Sequence, residues 1–443
     1  MDSTSVSDVQ KMSEFDLHMD DMLLPVQTKL NKAVLGRLSS SSYPIGSRGG
    51  EGITEYQIAM SNSLSAVVSN SDICLDLDVD QQGDDQRVLK DNKENRFRGA
   101  QTLFKSFSAT LGSHKLCDIP NFADRVADFH VQSTYTRDEL DYLEAMAGVN
   151  ADAGDGTAGD PASVPPTGNG IPTKKTLSLR LPLKWFGLDI GQLLPSNSIS
   201  STLRLNLTVN DKYLGMFEGL ETGSNKITIR NLRLETEFIE LQSTVNSKRL
   251  NLIKTTGLTI PYHTYAVDVR ALPQTSQLNE RISMNYNNVV SVFQIPYNLN
   301  DSEGYYSKVN WNDDDMNGIK NYLVAFSGGT FFNLNSNSGQ TGKASHAKAL
   351  METLRTENTT SGAGSAIVKG IDNYQVLCAN FVRANNVLSP AIIDSGINGK
   401  VLDGLLNTNA IFDSPIEPNK QLTTITRYTQ RIVFKSSGMK VFS

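Results

Sequence analysis

Strict two-residue alternation constrains this chain more than any other feature. In DICLDLDVD (72–80), Ile73, Leu75, Leu77 and Val79 alternate with Asp72, Cys74, Asp76, Asp78 and Asp80. A period of two sends every second side chain to one face of an extended strand, and a helix cannot separate that pattern. The rhythm returns in TLSLRLPL through Leu177, Leu179, Leu181 and Leu183, and in STLRLNLTVN through Leu203, Leu205, Leu207 and Val209. KITIRNLRLETEFIEL (226–241) is a longer strand, and a bulge is expected near Asn231. Many half-buried strands separated by Asn, Ser, Thr and Gly-rich stretches predict antiparallel sheets stacked as sandwiches, with long loops.

At 443 residues the chain exceeds one ordinary core. QSTVNSKRLN (242–251) is the best boundary, and the strands start over after it. The expected organisation is an arm over 1–50, one sandwich over 51–245 and a second over 246–443. GLTIPYHTYAVDVR, NNVVSVFQIPY, YLVAFSGGTFFNL, YQVLCANFV and TTITRYTQRIVF are the main strands of the second half. Helical spacing occurs at Phe122, Val126 and Phe129, after the TRDE capping box at Thr136, and in SHAKALMETLRTE (345–357). In the arm Val26, Leu30, Val34 and Leu38 recur every fourth residue and predict a short amphipathic helix. GVNADAGDGTAGDPASVPPTGNGIP (148–172) is a surface loop.

The formal net charge is −6, and the first 21 residues carry Asp2, Asp8, Glu14, Asp16, Asp20 and Asp21 against Lys11 alone. A basic genome-coating arm is thereby excluded, since charge-driven nucleic-acid binding needs local positive charge. Cys74, Cys117 and Cys378 are odd in number and without a CxxC pair, which argues against zinc or a disulfide framework. MDSTSVSDVQ has no basic-then-apolar signal pattern, and no apolar run approaches the roughly 20 residues of a membrane span. Synthesis in the cytoplasm is expected.

Candidate chemistry is thin. NSGQTGKAS (337–345) follows a strand and precedes a helix, but Asn337 replaces the first glycine of a phosphate-binding loop and Ala344 replaces the magnesium-holding Ser or Thr. Asp76, Asp78 and Asp80 imitate the start of a calcium loop, yet Gln81 stands where its glycine belongs. Asp313, Asp314 and Asp315 read as an exposed turn. Glu235 and Glu237 share a strand face, as a glycosidase pair could, but nothing marks a partner carboxylate on another strand. His18, His114, His130, His263 and His346 show no metal spacing, and Trp185 lies in an apolar insertion suited to packing. The expectation is no enzyme, no cofactor and no metal.

GAQTLFKSFSATLGSHKLCDIPNFADRV (99–126) resembles a segment of double jelly-roll major capsid proteins, in which a strand pair with a "GA" start leads through a Gly turn to a helix. LRLPLKWFGLDIGQLLPSNSISSTLRLNLTV (179–209), ITIRNLRLETEFIEL (227–241) and IVFKSSGMKVFS (432–443) are similar to later stretches of that family, in the same order. The likeness is to capsid proteins of polinton-like viruses, virophages and related nucleocytoplasmic large DNA viruses. It implies a mainly β fold of two tandem jelly rolls with few short helices. It also implies a homotrimer shaped as a pseudo-hexamer, tiling an icosahedral virion shell beside neighbouring capsomers, minor capsid and penton proteins. The arm residues Val26, Leu30, Val34 and Leu38 would then contact minor proteins or an internal membrane from underneath, or pack within the chain. The alternatives are a carbohydrate-binding or carbohydrate-active β-sandwich, a nucleotide-dependent assembly enzyme using 337–345, and a spike or penton component.

Overall fold

A computed structural model describes residues 34–45, 53–58, 64–81, 100–135, 173–195, 203–209, 226–298, 319–326, 329–335, 377–381, 396, 398, 404–412, 415–416, 418, 420–436 and 438–442. The first half contains β1 (Val34–Ser42), β2 (Pro44–Ile45), β3 (Ile53–Ile58), β4 (Leu64–Gln81), β5 (Phe104–Leu111), β6 (His114–Ile119), helix α1 (Ala123–Thr134), β7 (Thr173–Pro182), β8 (Leu203–Val209) and β9 (Lys226–Leu241). Helix α2 (Ser243–Thr255) leads into β10 (Leu258–Ala271), β11 (Gln277–Ser283), β12 (Val289–Asn298), β13 (Ile319–Phe326), β14 (Gly329–Asn335), β15 (Leu377–Asn380), β16 (Leu405–Phe412), β17 (Lys420–Lys435) and β18 (Gly438–Phe442).

These strands make four antiparallel sheets, two per half. The first half gives β1-β9-β4-β7 and β2-β3-β8-β5-β6; the second gives β10-β17-β12-β15, with β18 on β17, and β11-β16-β13-β14. Setting aside the two-residue edge strand β2, which pairs antiparallel with β3, and β18, both halves have the order 1-8-3-6 in one sheet and 2-7-4-5 in the other. That is jelly-roll wiring, written twice without a visible sequence repeat.

Local chemistry explains the elements. Phe107, Ala109 and Leu111 are fully buried, as the alternation requires, and Leu103 and Phe104 are buried beside them where a 3-10 turn enters β5 and the register shifts. Leu111 pairs with His114 across a two-residue turn whose Gly112 has φ 59°, a region glycine enters without steric cost. At Asn231 (φ 49°) the ladder slips: Cys74 faces Arg233 but Asp76 faces Arg230, so β9 carries one extra residue there. Trp185, Phe186, Leu188, Ile190 and Leu194 are buried, which makes the apolar insertion a packing element.

One reading changes. Val34 and Leu38 stand on β1, a strand paired with β9 from Val34↔Leu241 to Ser42↔Leu234, rather than on a helix. A spacing of four is also a multiple of two, so it fits one strand face as well as one helix face. A sheet ladder outweighs a short isolated helix, which is marginal in water. β1 and β2 thus lie inside the stretch read as an arm, while Val26 and Leu30 fall outside the described residues. The boundary stretch is α2, which lacks an apolar stripe and buries only Arg249 and Ile253. β11 and β16 were unmarked in sequence; β16 buries Leu406, Thr408, Ala410 and Phe412, an alternation diluted by Thr408. The helices expected at Thr136 and over 345–357 lie outside the described residues.

Candidate functional site

Among the described residues the candidate carboxylates engage neighbouring arginines and polar side chains rather than one another. Glu235 is held by Arg180 at 2.7 Å and Arg233 at 3.0 Å, and Glu237 by Arg37 at 3.5 Å and Asn70 at 2.7 Å. Partial burial pushes the Glu235 carboxyl up, but the Arg233 hydrogen bond and the two arginine charges outweigh it and leave it below its usual range. Asp76 is likewise lowered, because Asn231 and Ser178 donate to its carboxylate. With Asp72, which accepts from Arg180 at 3.0 Å, these groups form an ion-pair ladder over the outer face of β1-β9-β4-β7. Among the described residues no group of three or more His, Cys, Asp or Glu could hold a metal ion, and no helix is long and apolar enough to cross a membrane. His18, His346, Asp313–315 and the 337–345 loop lie outside the described residues.

All three cysteines are buried and free. Burial pushes the thiols of Cys74 and Cys117 up to about 12. An aromatic disulfide reagent at pH 8 is therefore expected to label none of the three in the native chain and all three after denaturation. Rapid native labelling would show that these sites open locally.

What the fold does build is a seam between the two halves. In β12 and β15 alternate residues serve different cores: Phe293, Ile295 and Cys378 join the first half's core, whereas Val292, Leu377 and Ala379 join the second's. Sheet β10-β17-β12-β15 is thus a middle layer, with one face turned to its own partner sheet and the other to the first half. Its inner face is specified by Gln294, which donates to Thr408 Oγ1 at 3.1 Å and accepts from Tyr322 at 3.0 Å.

Helix α1 covers the outer face of that layer. The Phe129 ring lies 4.5 Å from that of Phe293. Arg125 donates to Thr423 and, at 3.2 Å, to Gln421, both on β17. His130 Nδ1 meets the Tyr265 hydroxyl at 3.2 Å. Tyr262 of β10 donates to the Leu116 carbonyl on β6 at 2.8 Å and also bonds Gln430. Asp189 bridges His263 through the main chain. Gly187 (φ 81°) sits so close to Tyr265 that a Cβ there would lie 3.1 Å from its ring. From α2, Arg249 bonds Ser65 at 2.9 Å and the Leu193 carbonyl, tying the connecting helix to the first half. Phe129 stood in a helical spacing in the sequence, but Arg125, His130, Tyr262 and Tyr265 carried no signal beyond being polar groups in otherwise apolar elements.

No family model and no curated protein matches this sequence. Solved structures do match. The chain superposes on the quasi-atomic capsid of the virus PBCV-1 with a TM-score of 0.60 at 11% identity, covering 92% of this chain and 96% of that one. The Faustovirus major capsid protein gives 0.56 at 10% identity, covering 98% and 99%. A chain of the Sputnik virophage gives 0.52 at 11% identity, covering 93% and 89%. This protein has the double jelly-roll fold. Near-complete coverage on both sides means that the double jelly roll accounts for almost the whole chain. At these identities the fold is what the likeness carries.

Proposed function

We propose that this double jelly roll is a major capsid protein that assembles as a homotrimer, a pseudo-hexameric capsomer tiling an icosahedral virion shell. The observation that carries the reading is the doubled strand order together with the seam. Within the chain, α1, which follows the fifth strand of the first roll, lies on the outer face of the second roll's 1-8-3-6 sheet. The corresponding sheet of the first roll, β1-β9-β4-β7, presents its ion-pair ladder outward. Repeating the internal contact between copies joins second roll to first roll, and three chains close a ring of six similar lobes. A heterologous contact must close in this way to avoid an open filament.

A charged contact face suits copies that are soluble before assembly. We divide the chain near residue 245, with the arm ahead of β1, and keep Val26, Leu30, Val34 and Leu38 as the candidate contact to minor capsid proteins, penton proteins or an internal membrane. On β1, Leu35 and Leu38 are 62% and 52% exposed. The role is structural, without catalysis. The site of action is the virion, after synthesis in host cytoplasm.

The test is the native mass of the purified chain, followed by negative-stain imaging, with a trimer of hexagonal outline expected. Arg180→Glu sharpens it. The Arg180 ion pairs are surface pairs worth about 0–1 kcal/mol each, so the variant should fold with a near-normal melting temperature. It should nevertheless sediment as a monomer, because three carboxylates, those of Asp72 and Glu235 and the introduced one, would face each incoming copy. A trimer as stable as the parent's would remove this face from the assembly.

A further inference from the structure

We propose that the seam between the rolls is an acid-sensitive joint: protonation of His130, shut between α1 and β10, and of the half-buried His263 on β10 loosens the hold of α1 on the β10–β17 pair. At His130 the geometry leaves a second proton little to bind. His130 is 6% exposed; its Nδ1 meets Tyr265, and its Nε2 is buried without a hydrogen-bond partner. The His263 ring meets Thr429 through Nδ1 at 3.2 Å. The charges packed around them are chiefly positive. Arg427 of β17 bears on both imidazoles, and Lys184 of the Leu183–Phe186 turn bears on His130. Helix α1 itself carries Asp124, Arg125 and Asp128, and Asp189 bears on Lys184. On β6, Lys115 and Asp118 pair with each other at 2.6 Å.

Burial holds both imidazoles well below their ordinary range, with the neighbouring cations adding to it. A lowered folded value means stability that is fully present above about pH 6.5 and lost as pH falls. Asp124 works the other way. Burial raises its carboxyl to about 7, so it returns stability as pH falls below that value. The net dependence of the parent therefore mixes both signs, and the histidine contribution is read as a ratio against histidine variants. In a shell subunit such a joint would couple acidification to loosening of the two-lobed body.

The experiment is hydrogen exchange of α1 and β10 in the full chain at pH 7.5 and 5.0, corrected for intrinsic chemistry, for the parent, His130→Gln and His263→Gln. The opening constant of the parent relative to each variant should rise by up to about 30-fold per imidazole over that interval. A rise above about fivefold supports the joint, and a smaller one overturns it. Should a variant fail to fold, imidazole NMR of the parent decides. Two of the five histidines should resist titration until Trp185 fluorescence reports an altered seam. Titration of all five near their ordinary value, with α1 still protected, overturns the proposal.

Discussion

Replacing Phe293 by alanine is expected to cost the fold about 3–5 kcal/mol and to split one unfolding transition into two. The ring is fully buried and leaves the second roll altogether: it lies 4.5 Å from Phe129 in the core of the first. Truncation opens a cavity in the surface where the rolls meet, and the surrounding β12 and α1 backbones are fixed by their ladders and cannot collapse into it. Phe412→Ala is the control. That ring is also buried but belongs to the interior of the second roll, so its loss should cost a similar amount without uncoupling the rolls. Scanning calorimetry reads both quantities. A single transition in Phe293→Ala, shifted as far as in Phe412→Ala, would mean that the rolls are coupled by something other than this aromatic contact. Phe129→Ala, combined with it, should be less than additive, because each ring loses the same partner.

Asp124→Asn is expected to stabilise the protein by about 2–4 kcal/mol at pH 8, with the gain shrinking towards nothing near pH 4. Asp124 is 3% exposed in the first turn of α1, and its Oδ1 is buried without a partner. Burial lifts its carboxyl from 3.8 to about 7, against the charge of Arg125 and main-chain donors that favour the anion. A folded value above the unfolded one contributes stability below about pH 4 and loses it as pH rises through about 7. At pH 8 the folded chain holds a desolvated anion that asparagine, isosteric and neutral, does not create. Denaturant melts across pH 4–8 check the sign. A variant that is less stable than the parent at pH 8 would show that the negative charge at the helix N-terminus outweighs its desolvation.

These two residues also mark where reading the sequence stops. The strands of the first roll were legible because their polar and apolar residues alternate against water: Leu203, Leu205 and Leu207 go inward and Arg204 outward. The hairpin at Gly112 and the bulge at Asn231 were legible because backbone geometry demands particular residues there. β11 and β16 were not, since Glu280 and Thr408 interrupt short alternations. The β1 strand was misread because a four-residue spacing serves both periods. The seam was not legible at all. Helix α1 is buried around nearly its whole circumference, so Asp124, Arg125, Asp128 and His130 look like a solvated face in sequence and are none of them exposed.

Sequence by itself thus settled the class of structure, sheets folded twice into sandwiches, because side-chain alternation is a local property that any strand must obey. The tertiary structure alone decided which sheet becomes the middle layer, and therefore which polar side chains are sealed from water. That depends on residues far apart in sequence meeting across two rolls, as Arg125 meets Gln421 and Thr423, and no local period records such a meeting.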